Sequence, residues 1–134
     1  MKITYLVDKK VPIQPIRDLY SSVGWQVYLD LSHSQLEGIM KASHHTIQAY
    51  YNHDLVGFIR SFSDKILYVT INDVIVRPDL QNTGIGTTLV KKMLRFYDDF
   101  PRRDFIRLFA EPGSEKFYAK LGFSIFRLKA LSLT

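Results

Sequence analysis

Val74-Ile75-Val76-Arg77-Pro78-Asp79-Leu80-Gln81-Asn82-Thr83-Gly84-Ile85-Gly86-Thr87-Thr88-Leu89 is the stretch that decides the fold of this chain. An apolar strand ends at Arg77-Pro78, because proline cannot donate to a ladder. Gln81-x-x-Gly84-x-Gly86 then runs straight into an amphipathic helix. Such a turn leaves several backbone N–H groups unpaired at the positive end of the helix dipole, where they can cradle a phosphate or pyrophosphate. Glycine suits the turn because a Cβ would hold an anion off the backbone or block a left-handed dihedral.

Working outward, Ile85, Leu89, Met93 and Phe96 line one face of a helix predicted from Gly84 to about Asp98. Upstream, a long strand is expected from about Ile66 to Val76. Two more precede it, His45 to Tyr51 and Leu55 to Phe62, joined through the hairpin signal Asn52-His53-Asp54. Ser32-x-x-Gln35 is a capping-box pattern with Leu31 and Leu36 at the staple positions, and Leu36, Ile39 and Met40 form the buried stripe of that helix. Pro15 opens an earlier helix with Ile16, Leu19, Tyr20 and Val23 inward, and Gly24 suits its C-terminal cap. Met1 to Val7 reads as the first strand. Downstream, Phe105 to Ala110 reads as a buried strand. Ser114 starts a short helix with Phe117, Tyr118 and Leu121 inward, stopped by Gly122, and Phe123 to Leu128 reads as the last strand. The order β-α-α-β-β-β-α-β-α-β predicts one α/β (α+β) domain over residues 1–134, a mixed sheet with helices on both faces.

Composition fits a single domain with a real core: 134 residues, 46% hydrophobic and 13% aromatic. There are no cysteines, which excludes disulfides, zinc–thiolate sites and a cysteine nucleophile and leads us to expect a cytoplasmic setting. No apolar stretch has the length to span a bilayer, so no membrane partner is expected. The net charge is +5. The basic residues are scattered singly or in pairs, so we expect a solvated surface that favours an anionic small ligand rather than nucleic acid.

Three phosphate-binding patterns compete for the glycine turn. A P-loop needs Lys-Ser/Thr directly after its last glycine, but Thr87-Thr88 follows Gly86. A dinucleotide fingerprint needs a third glycine where Leu89 stands, and a tighter first turn than Arg77 to Thr83 allows. The third pattern resembles the GNAT superfamily of N-acyltransferases, whose strand–Arg/Gln-x-x-Gly-x-Gly/Ala–helix is matched by Gln81-Asn82-Thr83-Gly84-Ile85-Gly86. Phe117-Tyr118-Ala119-Lys120-Leu121-Gly122-Phe123 is similar to the family's second hallmark, Phe-Tyr-x-x-x-Gly-Phe. With the order of elements, the likeness covers almost the whole chain.

The resemblance implies a GNAT-like, mostly antiparallel central sheet and acetyl-CoA as cosubstrate. It implies that the amides of Asn82, Thr83, Gly84, Ile85, Gly86 and Thr87 hold the pyrophosphate. The pantetheine arm would lie along the backbone of Val74, Ile75 and Val76. The activity implied is transfer of an acetyl group to a primary amine of a small molecule or peptide, by direct attack in a ternary complex. A non-catalytic acyl-CoA-binding or regulatory module on the same fold is the competing reading.

Tyr118 matches the family position that meets the coenzyme's sulfur. A phenol of ordinary pKa, about 10, is a weaker acid than a thiol near 8.5, so hydrogen-bonding the developing thiolate is the role its chemistry allows. Asp73 interrupts the apolar run Ile71 to Val76, where a carboxylate is costly to bury. It is either the general base or the partner of an arginine such as Arg60. Glu111, where many relatives carry asparagine, is the second candidate base. Trp25 and Tyr28 border the acceptor pocket in this fold, as an aromatic wall or a lid over the core. Lys91 and Lys92 are either ligands of the coenzyme's 3′-phosphate or a solvated face. No metal is expected: His33, His44, His45 and His53 have no ligand spacing, and His44 and His45 are expected on opposite sides of a strand. The aromatic C-terminal strand suits a homodimer contact.

Overall fold

The computed structural model describes residues 1–134. Five strands, β1 (Thr4–Val7), β2 (His45–Tyr51), β3 (Asp54–Ser63), β4 (Val69–Val76) and β5 (Ile106–Leu108), form one sheet in sequence order. The first four are antiparallel and β5 joins β4 in parallel. The β2–β3 hairpin turns on Asn52 and His53, both with positive φ (49° and 69°), the handedness that matches strand twist.

Three helices, not the expected two, separate β1 from β2: α1 (Ile13–Ser22), the short α2 (Gln26–Leu29) and α3 (His33–Ala42). The extra turn arises because Gly24 (φ 73°) ends α1 and the chain recoils at once, with Trp25 N–H bonding the Tyr20 carbonyl. The capping box at Ser32 is formed in both directions. Ile16, Leu19, Tyr20, Leu36 and Met40 pack α1 and α3 on one face of the sheet, against Leu55, Phe58 and Ile75. On the other face α4 (Ile85–Arg95) buries Ile85, Leu89, Val90 and Met93 against Ile47, Ala49, Val56, Ile59, Val69 and Ile71. Gly57 lets α4 approach closely, since a Cβ there would lie 3.1 Å from Ile85 and 3.2 Å from Leu89.

Two expectations fail at the C-terminal end. β5 is only three residues long, and Phe109 is 77% exposed rather than buried. Its ladder with β4 stops at the Ile71–Leu108 pair because β4 bulges at the next step. Phe123 to Leu128 is not a strand. Phe123 packs on the core beside Tyr118, and Phe126 docks on the Arg107 guanidinium at 4.4 Å. No ladder joins residues 123–128 to the sheet, whose last strand β5 ends at Leu108. Between them α5 (Glu115–Ala119) is a short helix.

Candidate active site

The β3–β4 ladder pairs Phe58 with Ile75 and Arg60 with Asn72. Ile59 therefore faces two residues, Asp73 and Val74, and Asp73 is bulged out with φ 57°. A bulge bends and twists its strand. β4 and β5 diverge from this point, and Asn72 to Val76 have no strand partner on the β5 side.

The gap opens into a cleft of about 730 Å³. Val74, Ile75, Val76, Gln81, Tyr118 and Glu111 line it. Trp25, Val27 and Tyr28 stand along the α2 side. Gln81 donates from Nε2 to the Val76 carbonyl at 3.1 Å, tying the glycine turn to the strand end.

The backbone N–H groups of Asn82, Thr83, Gly84, Ile85, Gly86 and Thr87 have no acceptor within the chain, and no side chain caps α4. Asn82 (φ 63°) and Gly84 (φ 95°) both turn left-handed, which concentrates these donors at the helix start. The two glycines serve different needs. Gly84 has open space around its missing Cβ and is required for its dihedral. A Cβ on Gly86 would lie 3.2 Å from the Phe117 ring and 3.5 Å from Val76. The two sequence motifs therefore touch, with Phe117 packed on Gly86.

Tyr118 is half-buried next to Phe117 and Phe123. Burial, with a contribution from the charge of Glu111, pushes its phenol up to about 12. Glu111 itself is exposed at the cleft rim.

Asp73 is 6% exposed and heavily engaged. Oδ2 accepts from Arg60 Nε at 2.5 Å and from the Tyr20 hydroxyl at 2.8 Å, and Oδ1 accepts from the Tyr28 hydroxyl at 2.7 Å. Of the two readings open for Asp73, the ion pair with Arg60 is the one formed. The sequence pattern places Tyr20 only among the inward residues of α1. The available signal was its type, since a buried tyrosine must place its hydroxyl on a partner. Burial and the Asp73 carboxylate raise the pKa of both Tyr20 and Tyr28.

The remaining candidates lie elsewhere. Lys91 is exposed, and Lys92 sits 5.2 Å over the Tyr5 ring. His44 and His45 are not on opposite sides: their rings are 4.1 Å apart. His44 precedes β2, so strand alternation does not govern it, and its Nδ1 meets the buried Tyr97 hydroxyl at 2.9 Å. His45 bonds Asp8 at 2.8 Å and stacks on Phe96. No three His, Asp or Glu side chains converge as metal ligands.

The sequence matches the acetyltransferase (GNAT) domain family over residues 17–127. It is 33% identical over 132 residues to the uncharacterised N-acetyltransferase ycf52 of Porphyra purpurea, covering 92% of this chain and 71% of that one. Among solved structures, a GNAT-family acetyltransferase of Streptococcus pneumoniae TIGR4 superposes with a TM-score of 0.83 at 26% identity, covering 99% of this chain and 98% of the other. An aminoglycoside N-acetyltransferase solved in complex with CoA shares the fold at a TM-score of 0.73 and 15% identity, over 99% and 95% of the two chains. The cleft beside the bulged β4 and the capless helix start with its six free amides thus stand in a chain that belongs to the GNAT acetyltransferase family.

Proposed function

We propose that this protein transfers an acetyl group from acetyl-CoA to a primary amine by direct attack within a ternary complex. The observation that carries the reading is the continuity of the six free amides at the α4 start with the unpaired β4 edge and Tyr118. The amides of Asn82 to Thr87 suit a pyrophosphate, and the free edge of Val74 to Val76 suits the amide-bearing arm attached to it. The thioester then falls at the bulge, between Tyr118 and the α2 wall.

The acceptor amine, with a pKa near 10.4, arrives protonated and must lose its proton before attack. Asp73 already accepts three hydrogen bonds, so we assign proton acceptance to Glu111, whose carboxylate is exposed at the rim and can pass the proton to water. A backbone N–H of the free β4 edge stabilises the tetrahedral oxyanion. Tyr118 hydrogen-bonds the departing thiolate; with a pKa near 12 it does not hand over its proton. No lysine or arginine lines the cleft, and with Asp73 paired to Arg60, Glu111 is its one carboxylate without a cationic partner. That balance favours a cationic acceptor and disfavours one bearing phosphate or carboxylate.

The test is CoA release from acetyl-CoA across a panel of primary amines, with the acetylated product identified by mass spectrometry. Turnover is expected with cationic amines lacking an anionic group. Tight acetyl-CoA binding with no turnover across the panel would favour the binding-module reading.

A further inference from the structure

We propose that Asp73 is the positioning residue of the acceptor side, locking Tyr28, and through it α2, onto β4 as the wall of the cleft. The inference rests on the acetyl-transfer reading only for what enters the cleft.

α2 has four residues, far too few to hold helical shape alone. Arg17 of α1 secures its far end by donating to the carbonyls of Leu29 and Leu31. Toward the sheet, every polar tie of α2 runs through one atom, the Tyr28 hydroxyl. It donates to Asp73 Oδ1 and receives Arg60 Nη2 at 3.3 Å. Tyr20 completes the cluster: its hydroxyl bonds the same carboxylate, and its ring stacks on Tyr28 at 4.1 Å with planes 8° apart. Trp25 lies against both rings, 6.1 Å from Tyr20 and 6.3 Å from Tyr28.

The direction of each bond is fixed. Arg60 can only donate, the Asp73 carboxylate paired with it accepts, and Tyr28 does one of each. Asp73 reaches all three partners because the bulge places it on the same face as Arg60, in a left-handed conformation that aspartate adopts more readily than most residues. Its oxygens are used to shape the wall rather than to take a proton.

Trp25 is the chain's single tryptophan, so its fluorescence reports this wall whether or not an acceptor is known. Asp73→Asn and Tyr28→Phe are compared with the wild type by iodide quenching of Trp25, with circular dichroism to verify folding. Both variants are expected to raise the quenching constant at least about twofold. With a turned-over amine, acceptor KM should rise about tenfold, kcat should change less than about threefold, and the limbs of the pH–rate profile should stay in place. Wild-type quenching in both variants would overturn the proposal. So would loss of turnover together with one limb of the pH profile in Asp73→Asn, which would make Asp73 the base. If Asp73→Asn fails to fold, Tyr28→Phe decides by the same quenching readout. If no amine is turned over by the wild type, acetyl transfer fails while the quenching result still decides the lock.

Discussion

At Tyr118 a single phenol separates two mechanisms. Burial and Glu111 push it up to about 12, several units above a thiol near 8.5, so proton transfer to the departing sulfur is uphill while a hydrogen bond to it is favourable. Tyr118→Phe should therefore lower kcat more than about tenfold and leave the Kd for acetyl-CoA within about twofold, measured by steady-state kinetics and calorimetry. Unchanged kcat would remove the hydroxyl from the mechanism. Glu111→Gln should lower kcat and abolish the limb of the pH–rate profile that reports the base; an intact limb would transfer that role to water or the substrate. The position of Tyr118 was legible because a linear motif marks it. Its acidity was not, because that depends on Phe117, Phe123 and Glu111 closing around it. Asp73 shows the same division. Sequence alone flagged a carboxylate in an apolar strand, but only the bulge settled which neighbours it meets.

At the scale of elements, the glycine turn and α5 act as one unit because Phe117 rests on Gly86. Gly86→Ala brings a methyl group to 3.2 Å from that ring, tighter than ordinary packing, so the ring or the turn must give by a few tenths of an ångström. The expected outcome is acetyl-CoA affinity weakened about tenfold with the fold retained, read by calorimetry and urea unfolding; wild-type affinity would show that the ring yields without disturbing the turn. On the other side of the sheet, Ser32→Ala removes a complete capping box. It should cost about 1 kcal/mol, seen as a lower urea midpoint at constant m-value. Elements defined by local chemistry, such as this cap, the Asn52-His53 turn and α4, were readable in advance. β5 and the C-terminal segment were not. Their lengths depend on where β4 bulges and on Arg107 capturing Phe126, neither of which leaves a local pattern.

For the whole molecule, the overall charge and the cleft point in opposite directions. The chain carries +5, yet no lysine or arginine lines the cleft, so the basic character belongs elsewhere on the surface. The tyrosines give a second global property, a limit to stability at high pH. Burial raises the pKa of Tyr20, Tyr28, Tyr50, Tyr97 and Tyr118 in the folded state. Below about pH 10, the ordinary tyrosine value, these phenols are protonated in both states and stability does not vary with pH on their account. Above it the unfolded chain releases protons that the folded chain retains. Bound protons are then fewer in the unfolded state, and the stability these groups confer is lost as pH rises from about 10 through their raised folded values. Absorbance of tyrosinate at 295 nm between pH 9 and 12, with circular dichroism in parallel, should resolve two populations among the eight tyrosines. One should titrate near pH 10 while the fold is intact, and the other should appear together with unfolding. All eight titrating as one group near pH 10, with the circular dichroism unchanged, would show that the hydroxyls beneath and beside the cleft are open to solvent. The enclosed carboxylate cluster of Asp73, Tyr20 and Tyr28 would then have no basis.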